Sequence, residues 1–291
     1  MKRRNGNLLG LVYMAPALLF VAVFVLYPFE QLILTSFTSQ SLLGGSRFIG
    51  LANYLQAFHD PTFLRALGFT IKYTVIITPI LMILGYLLAL LTASNRPVLQ
   101  FARGVIFMPV VIGLGASSLL WYWLFDQQVG LFDKALVDLH IASKMIVWWT
   151  DANWALSGVI ISVVWKVVGF GMLLFVASIQ AISPDVIEAS LIDGATYWQR
   201  VRMIYLPLTA RTILLVTLIS AIGSMLAFDQ FYIMTLGGPI GQTFTAVYWM
   251  YQSSFISFKL GYGDAQAVIL TVIIMIGAAI QIALTAKRGQ A

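Results

Sequence analysis

The chain contains no cysteine and only two histidines, and its Lys, Arg, Asp and Glu together make up just 10% of 291 residues. Without cysteine there are no disulfides, zinc–thiolate centres or cysteine nucleophiles. His59 and His140 lie far apart with no acidic partner at metal-ligand spacing, so no metal site is expected. The H-E-x-x-H pattern of zinc proteases and the G-x-S-x-G nucleophile elbow are also absent, which leaves no catalytic residue to nominate. A G-x-x-x-x-G-K-[ST] phosphate loop is missing as well, so any ATP-driven step must be run by another chain. Charge is scarce where a soluble domain has roughly 25%, which excludes a large soluble domain. The net charge of +6 is spread over loop-sized groups rather than one groove, so no nucleic-acid partner is expected.

Apolar length is what the chain has. Hydrophobic residues make up 60% and mean hydropathy is +0.91. A bilayer core takes about 20 apolar residues per helix, and six runs approach that length: 8–29, 69–93, 105–125, 154–182, 208–236 and 262–286. The expected fold is therefore an all-α integral membrane protein with six transmembrane helices. The first run is too long, and lacks the small-residue cleavage site, for a removable signal peptide. Tyr27-Pro28 and Pro79 are expected to bend their helices, and Pro109 with Gly113 and Gly115 to make the third span irregular. Between the spans, residues 53–59 read as a short helix. Val129, Phe132, Leu136 and Leu139 recur at helical spacing, as in a helix lying at the membrane interface. Trp148, Trp149 and Trp154 read as an aromatic anchor at headgroup level. By order along the chain, the division is a first span and outer loop over 1–68, a core over 69–286 and a tail over 287–291.

Basic loops set the orientation. Lys2, Arg3 and Arg4, the Arg96/Arg103 connector, Arg200, Arg202 and Arg211, and Lys287-Arg288 fall on one side. Asp126, Asp133, Asp138 and Asp151 fall opposite, partly offset by Lys134 and Lys144. Arg47, Arg65 and Lys72 run against the rule and are outweighed. Both termini and the 183–207 loop are then cytoplasmic.

That loop reads SPDVIEASLIDGATYWQRVRMIYLP. Ser183 is placed to cap a helix opening on Pro184, whose missing N–H would be an orphan there anyway. Asp185 and Glu188 sit near the positive end of the helix dipole. Gly194, preceded by Asp193, breaks the run; Ala195–Tyr205 resumes it, and Pro207 is placed to begin the next span. Inside the spans, the main polar groups are Lys166, Asp229 and Gln230. A charge at the bilayer centre costs about 2.5–3.5 kcal/mol on insertion scales, so such groups line a pathway, pair with each other, or snorkel from span ends. These readings stay open at this level.

Glu188-Ala189-Ser190, Gly194, Ile204, Leu206 and Pro207 resemble the EAA signature of ABC importer permeases, with every spacing kept and Ser190 in place of the second Ala. Gly50-Leu51-Ala52-Asn53-Tyr54, Phe228-Asp229-Gln230-Phe231, Thr235-Leu236-Gly237-Gly238-Pro239 and Gly261-Tyr262-Gly263 follow in the order seen in the carbohydrate branch of these permeases. The resemblance implies a type I importer (MetI-like) permease fold with a cytoplasmic coupling helix. It further implies a bacterial inner-membrane importer built from two homologous permeases, two cytoplasmic ATPase subunits and an extracytoplasmic solute-binding protein. This chain would bind no cofactor, ATP and Mg²⁺ being held by the ATPases, and Glu188 would be the polar anchor of the docked helix. A polyol phosphate, amino acid or peptide remains open as cargo. An ion-gradient-driven transporter would need paired broken helices with midplane carboxylates, and an intramembrane enzyme a catalytic set; neither is found.

Overall fold

The computed structural model describes residues 13–126, 130–140 and 146–286. The terminal basic clusters at 2–4 and 287–288, the first residues of the first apolar run, Val129 and Lys144 lie outside the described residues. Among those described there is no β-strand, only an isolated bridge between Thr38 and Phe48.

Four helices are individually long and apolar enough to cross a membrane: α1 (Tyr13–Ser36), α3 (Pro61–Thr92), α7 (Ala152–Gln180) and α12 (Leu260–Ala286). Between α1 and α3 lies α2 (Ala52–His59), the expected short helix. Two further apolar stretches pass only as broken pairs. α4 (Pro97–Val111) and α5 (Leu114–Leu124) meet at 99°, while α9 (Tyr197–Leu208) and α10 (Ala210–Met225) meet at 70°. The six apolar runs thus correspond to four continuous helices and two broken ones. The third run breaks where its Pro and Gly content predicts: Ile112 and Gly113 are extended, directly after the last turn that holds Pro109.

The fifth run departs from expectation. Apolar length predicts one span over 208–236, but α10 stops at Met225 and a separate π-helical turn forms at Phe231–Thr235. Ser224 turns its hydroxyl back onto the Ala221 carbonyl (2.9 Å), a local bond that competes with helix continuation. The Ala227 carbonyl freed by the break is taken by the Thr245 hydroxyl (2.7 Å). Phe69 and Tyr73 of α3 then meet Phe231 edge-on at 5.3 and 5.1 Å and hold the turn. Pro207 is also placed differently from expectation: it lies inside α9, and the next span starts at Ala210, beyond a non-helical Thr209.

Proline explains two local irregularities. π-helical turns occupy Ala22–Leu26 and Val201–Tyr205, each ending two residues before a proline, Pro28 and Pro207. A proline ring crowds the carbonyl four residues back and supplies no N–H. Shifting the preceding bond to i→i−5, as in Tyr27 N–H to Ala22 O and Leu206 N–H to Val201 O, lets the helix continue past it.

The chain divides into two compact units. One gathers the described residues up to Leu64 with Trp249–Ile273; the other holds Arg65–Tyr248 and the chain from Ile274 onward. The simple split at residue 68 therefore misses that part of the last helix packs with the first. In the first unit, Asn53 of α2 donates to the Ser36 and Thr38 carbonyls (2.9 and 2.8 Å), closing the end of α1. Asp60 caps α3 by accepting from Thr62 N–H (2.8 Å) and also accepts from Tyr262 Oη (2.7 Å) and Trp249 Nε1 (3.1 Å). Gly261 and Gly263 flank that tyrosine because nothing larger fits: a Cβ on Gly261 would strike the Thr38 carbonyl, and one on Gly263 the Ser254 hydroxyl. Asp264, one position on, accepts from Thr35 Oγ1 of α1.

The second unit has a core of Tyr86, Ala89, Met172, Phe175, Val176, Ile179 and Val216 from α3, α7 and α10. Gly169 lets α7 close onto α4, where a Cβ would meet the Ile106 carbonyl at 2.5 Å. Trp148, Trp149 and Trp154, expected as an aromatic anchor, do not share one environment. Trp148 is buried against Phe125, Phe132 and Trp154, and Trp154 remains half exposed. Phe132 sits on α6 (Leu131–Asp138), the expected loop helix, and points into this cluster.

Burial raises the Asp60 pKa, but donation from Tyr262, Trp249 and two backbone N–H groups outweighs it and holds the carboxyl below its ordinary value. Because the folded pKa is depressed, the Asp60 contribution is present above the unfolded value of about 4 and is lost as pH falls through the folded one. Asp60→Ala should lower the stability of the detergent-purified protein by about 2–4 kcal/mol at neutral pH, through loss of the cap and two stranded donors. Thermal unfolding at pH 7 and at pH 3 checks this, with the gap between wild type and variant narrowing at the lower pH.

Candidate functional site

The 183–207 segment folds into α8 (Pro184–Ile192), a tight turn and α9. Pro184 opens α8 as expected, but Ser183 contributes only its backbone carbonyl, to Val186 N–H (3.2 Å); its hydroxyl makes no cap bond. Asp185 lies in the first turn. The helix ends in a Schellman arrangement: Ala195 N–H reaches the Ser190 carbonyl (2.9 Å) and Gly194 N–H the Leu191 carbonyl (3.1 Å). Asp193 is the C-cap of the helix, and Gly194 takes φ +75°, the left-handed conformation that glycine adopts without penalty. The glycine six positions after Glu188 is thus the residue that reverses the chain.

Ser190 is buried, and its hydroxyl donates to the Ile187 carbonyl (2.6 Å). A serine there is self-satisfied, so it replaces alanine without stranding a polar group. Ala189 and Glu188 are exposed, and neither Glu188 oxygen has an ion-pair or hydrogen-bond partner within the described chain. Around them Val186, Leu191, Ile192, Trp198 and Met203 are exposed apolar side chains. A cleft of about 470 Å³ opens beside Glu188, walled by the Ala93–Asn95 connector, Gln180, Ile187, Tyr197 and Tyr205. Its floor is fixed by Gln180, which donates to the Ala93 carbonyl (2.7 Å) and Asn95 Oδ1 (3.0 Å). The ends of α3 and α7 are thereby tied together beside the segment.

Sequence reading passed over the capping box that restarts the helix. Thr196 Oγ1 accepts from Gln199 N–H, while Gln199 Oε1 accepts from Thr196 N–H (2.7 Å). The T-x-x-Q spacing was the available signal. Ile204 is half-buried and Leu206 and Pro207 exposed along α9; Thr209, fully buried at the following bend, bonds the Tyr205 carbonyl (2.6 Å) and Tyr86 Oη (3.0 Å).

The three intramembrane polar residues are not brought together. Lys166 is buried on α7 and donates to the Val110 carbonyl (3.1 Å), in the last turn of α4 where carbonyls lose their helical partners. It pairs with a helix end, not with Asp229. Gln230 is buried and lines a cavity of about 200 Å³ among α3, α5, α7 and α10, whose other polar groups are Tyr73, Ser220 and Ser224. Asp229 is half-buried and forms no part of that wall. The residues that fix the segment following Gln230 carry no motif. Thr235 donates to the Phe231 carbonyl (2.7 Å), and Thr243 to Thr235 Oγ1 (2.8 Å) and the Gly238 carbonyl (2.6 Å). Thr70 accepts from Ala246 N–H (2.8 Å). All three threonines are buried, and together with Thr245 they lock the chain from the α10 break to α11 (Ala246–Tyr251). Threonines at such irregular spacing carry no periodic signal.

Two substitutions test this geometry without reference to partners. Gly194→Val forces a β-branched residue to positive φ and should cost about 1–2 kcal/mol locally, exposing the turn to faster protease cleavage between residues 190 and 196. Ser190→Ala removes a self-satisfied bond and should leave cleavage and thermal unfolding unchanged. A protease-resistant Gly194→Val would mean that the left-handed turn does not set the loop conformation.

The family model for binding-protein-dependent transport system inner membrane components matches residues 49–288. The lactose transport system permease protein LacF of Rhizobium radiobacter is 31% identical over 280 residues, covering 94% of this chain and 92% of that protein. The sn-glycerol-3-phosphate transport system permease protein UgpA of Brucella abortus is 32% identical over 289 residues, covering 97% and 96%. A chain of the bacterial alginate ABC transporter, solved in complex with its alginate pentasaccharide-bound periplasmic protein, superposes with a TM-score of 0.83 at 18% identity, covering 95% of this chain and 93% of that one, and so shares the fold. With four continuous and two broken apolar helices around an exposed EAA-type loop, the chain belongs to the family of binding-protein-dependent transport system inner membrane components.

Proposed function

We propose that this chain is a permease subunit of an ATP-binding-cassette importer for a sugar or sugar derivative. With a second, homologous permease it forms the membrane pathway, receives cargo from a solute-binding protein, and is opened and closed by two ATPase subunits docked on the 183–207 loop. ATP and Mg²⁺ belong to those ATPases, and the chain itself does no chemistry. Its basic loops support placing both termini and the 183–207 loop in the cytoplasm. One observation carries the coupling role: a short helix, closed at Gly194, holds an unpaired Glu188 in solvent beside exposed apolar side chains and a cleft. An unpaired carboxylate rimmed by apolar surface is what a basic groove on a partner would recognise.

Cargo class rests on the relatives, whose names include lactose and sn-glycerol-3-phosphate. Within the membrane, Gln230 is the residue whose position favours pathway contact, because it lines the cavity with Tyr73, Ser220 and Ser224 and offers both donor and acceptor to hydroxyls. Lys166 and Asp229 stand apart from that wall, so Lys166 acts on the pathway through the α4–α5 break it caps.

Glu188→Ala should remove a charge-assisted contact of about 1.5–3 kcal/mol, roughly ten- to a hundredfold in docking. The variant should reach the membrane at normal levels, yet show weakened ATPase co-purification and less substrate-stimulated ATP hydrolysis and uptake. Full uptake with full stimulation would remove the loop from the coupling role. Gln230→Leu should raise the apparent KM for the transported sugar while assembly persists; an unchanged KM would take Gln230 out of the pathway. Single cysteines introduced at 186 and 192 of this cysteine-free chain should react with impermeant reagents only from the cytoplasmic side, and labelling from outside would reverse the topology.

A further inference from the structure

Helix α2 carries an apolar stripe that nothing in the chain covers. Leu51, Leu55 and Phe58, spaced i, i+4 and i+7, are 61%, 61% and 58% exposed, whereas Asn53 and Ala57 on the opposite face are 5% and 0%. The orientation is fixed, because Asn53 is held by the two carbonyls at the end of α1, and Ala57 packs with Phe63, Tyr262 and Ile269. Had the helix simply met water, its apolar face would be the one turned inward. Its place in the chain says what covers the outward face. Fifteen residues separate α2 from α1, and Asp60 alone separates it from α3, both of them helices of membrane-spanning length. No side chain in the apolar window of α1 is buried within the chain, and exposed apolar surface resumes at Leu64 in the first turn of α3. The stripe is thus continuous along the chain with surface that meets lipid, at the depth where a span begins. Arg47, in the hairpin leading into α2, is exposed and runs against the charge asymmetry of the other loops, and it complements phosphate-bearing headgroups.

We propose that α2 is an interfacial membrane anchor, with Leu51, Leu55 and Phe58 sunk into the headgroup–acyl boundary of the leaflet at the N-terminal end of α3. A lipid surface is its partner. The short apolar face, flanked by Gln56 and His59, suits shallow insertion rather than a traverse. By holding α2, the bilayer also holds Asp60 and the start of α3, and so fixes the depth of that end of the first unit. This inference rests on membership of the inner-membrane family and is independent of cargo and of ATPase docking.

The absence of native cysteine makes the test direct. Leu55→Cys, Phe58→Cys and Gln56→Cys are made singly in the full-length chain, assembled with its partner subunits in lipid nanodiscs, and labelled with an environment-sensitive fluorophore. Labels at 55 and 58 should emit at shorter wavelength than the label at 56. They should be quenched more by phospholipid brominated near the headgroup than by phospholipid brominated near the chain end, and be shielded from aqueous iodide. The label at 56 should show the reverse iodide response, which also reports that the helix is folded. Addition of the solute-binding protein should leave all three unchanged. Iodide quenching at 55 and 58 without bromolipid quenching would mean that the stripe is solvated. Shielding from both quenchers, or a shift on adding the binding protein, would mean that protein covers it. Either result overturns the proposal while leaving the permease reading intact.

Discussion

The helix breaks among the described apolar segments answer to one constraint: a backbone polar group inside a bilayer must find its partner within the protein. A continuous helix meets that constraint by itself, and α3 and α7 do so over 32 and 29 residues. At three interruptions among the described residues, a named side chain takes the stranded group. Lys166 donates to the Val110 carbonyl at the α4–α5 break, Thr245 donates to the Ala227 carbonyl beyond α10, and Thr70 accepts from the Ala246 amide. At Pro28 and Pro207 the backbone does the work itself, through a turn of i→i−5 bonds. An unsatisfied amide in hydrocarbon costs several kcal/mol, more than the side-chain entropy lost in ordering one threonine or lysine. The breaks are therefore built and held, not merely tolerated.

Breaks are costly enough to need a reason, and they concentrate where an importer needs shape. Side chains of a closely packed bundle fill its interior, and a break in a helix is one way to open a cavity wall. Stopping α10 at Met225 and restarting at Phe231 lets Gln230 reach the cavity with its amide, while Phe69 and Tyr73 clamp the restart from α3. The same logic governs the solvent-facing end. There, Gly194 and the Thr196–Gln199 box end one helix and begin another within four residues. A rigid corner can transmit a push. A floppy loop of equal length would absorb it.

How much of this could be read from residue order depended on whether the signal was local. The EAA-type segment was legible because its spacing is fixed and several of its positions serve local geometry: Pro184 at a helix start, Ser190 onto Ile187, Gly194 at positive φ. Span number was legible from apolar length, and the α4–α5 break from Pro109 and Gly113. The break in the fifth run is not legible because 208–236 is mostly apolar and holds no proline to mark it, while the contacts that hold the restart come from Thr245, Phe69 and Tyr73 outside or beyond it. Lys166 was ambiguous for the same reason: its partner is a backbone carbonyl 56 residues away, and no side-chain pattern marks it. Trp148 looked like a surface anchor by composition, but its burial depends on Phe125 and Phe132 being close in space.

The weak motifs gain meaning once their contacts are known. Gly261-Tyr262-Gly263 is three consecutive positions doing three separate things: one lets the Thr38 carbonyl approach, one donates to Asp60, and one makes room for Ser254. Asn53 of the Gly50–Tyr54 segment closes α1, while Tyr54 bonds Ser36 (2.6 Å). Thr235 of the Thr-Leu-Gly-Gly-Pro run links the Phe231 carbonyl to the Thr243 hydroxyl. None of these residues needs to touch cargo. Each fixes where a helix ends, and in a membrane the ends of helices are the places where polar groups are free to act.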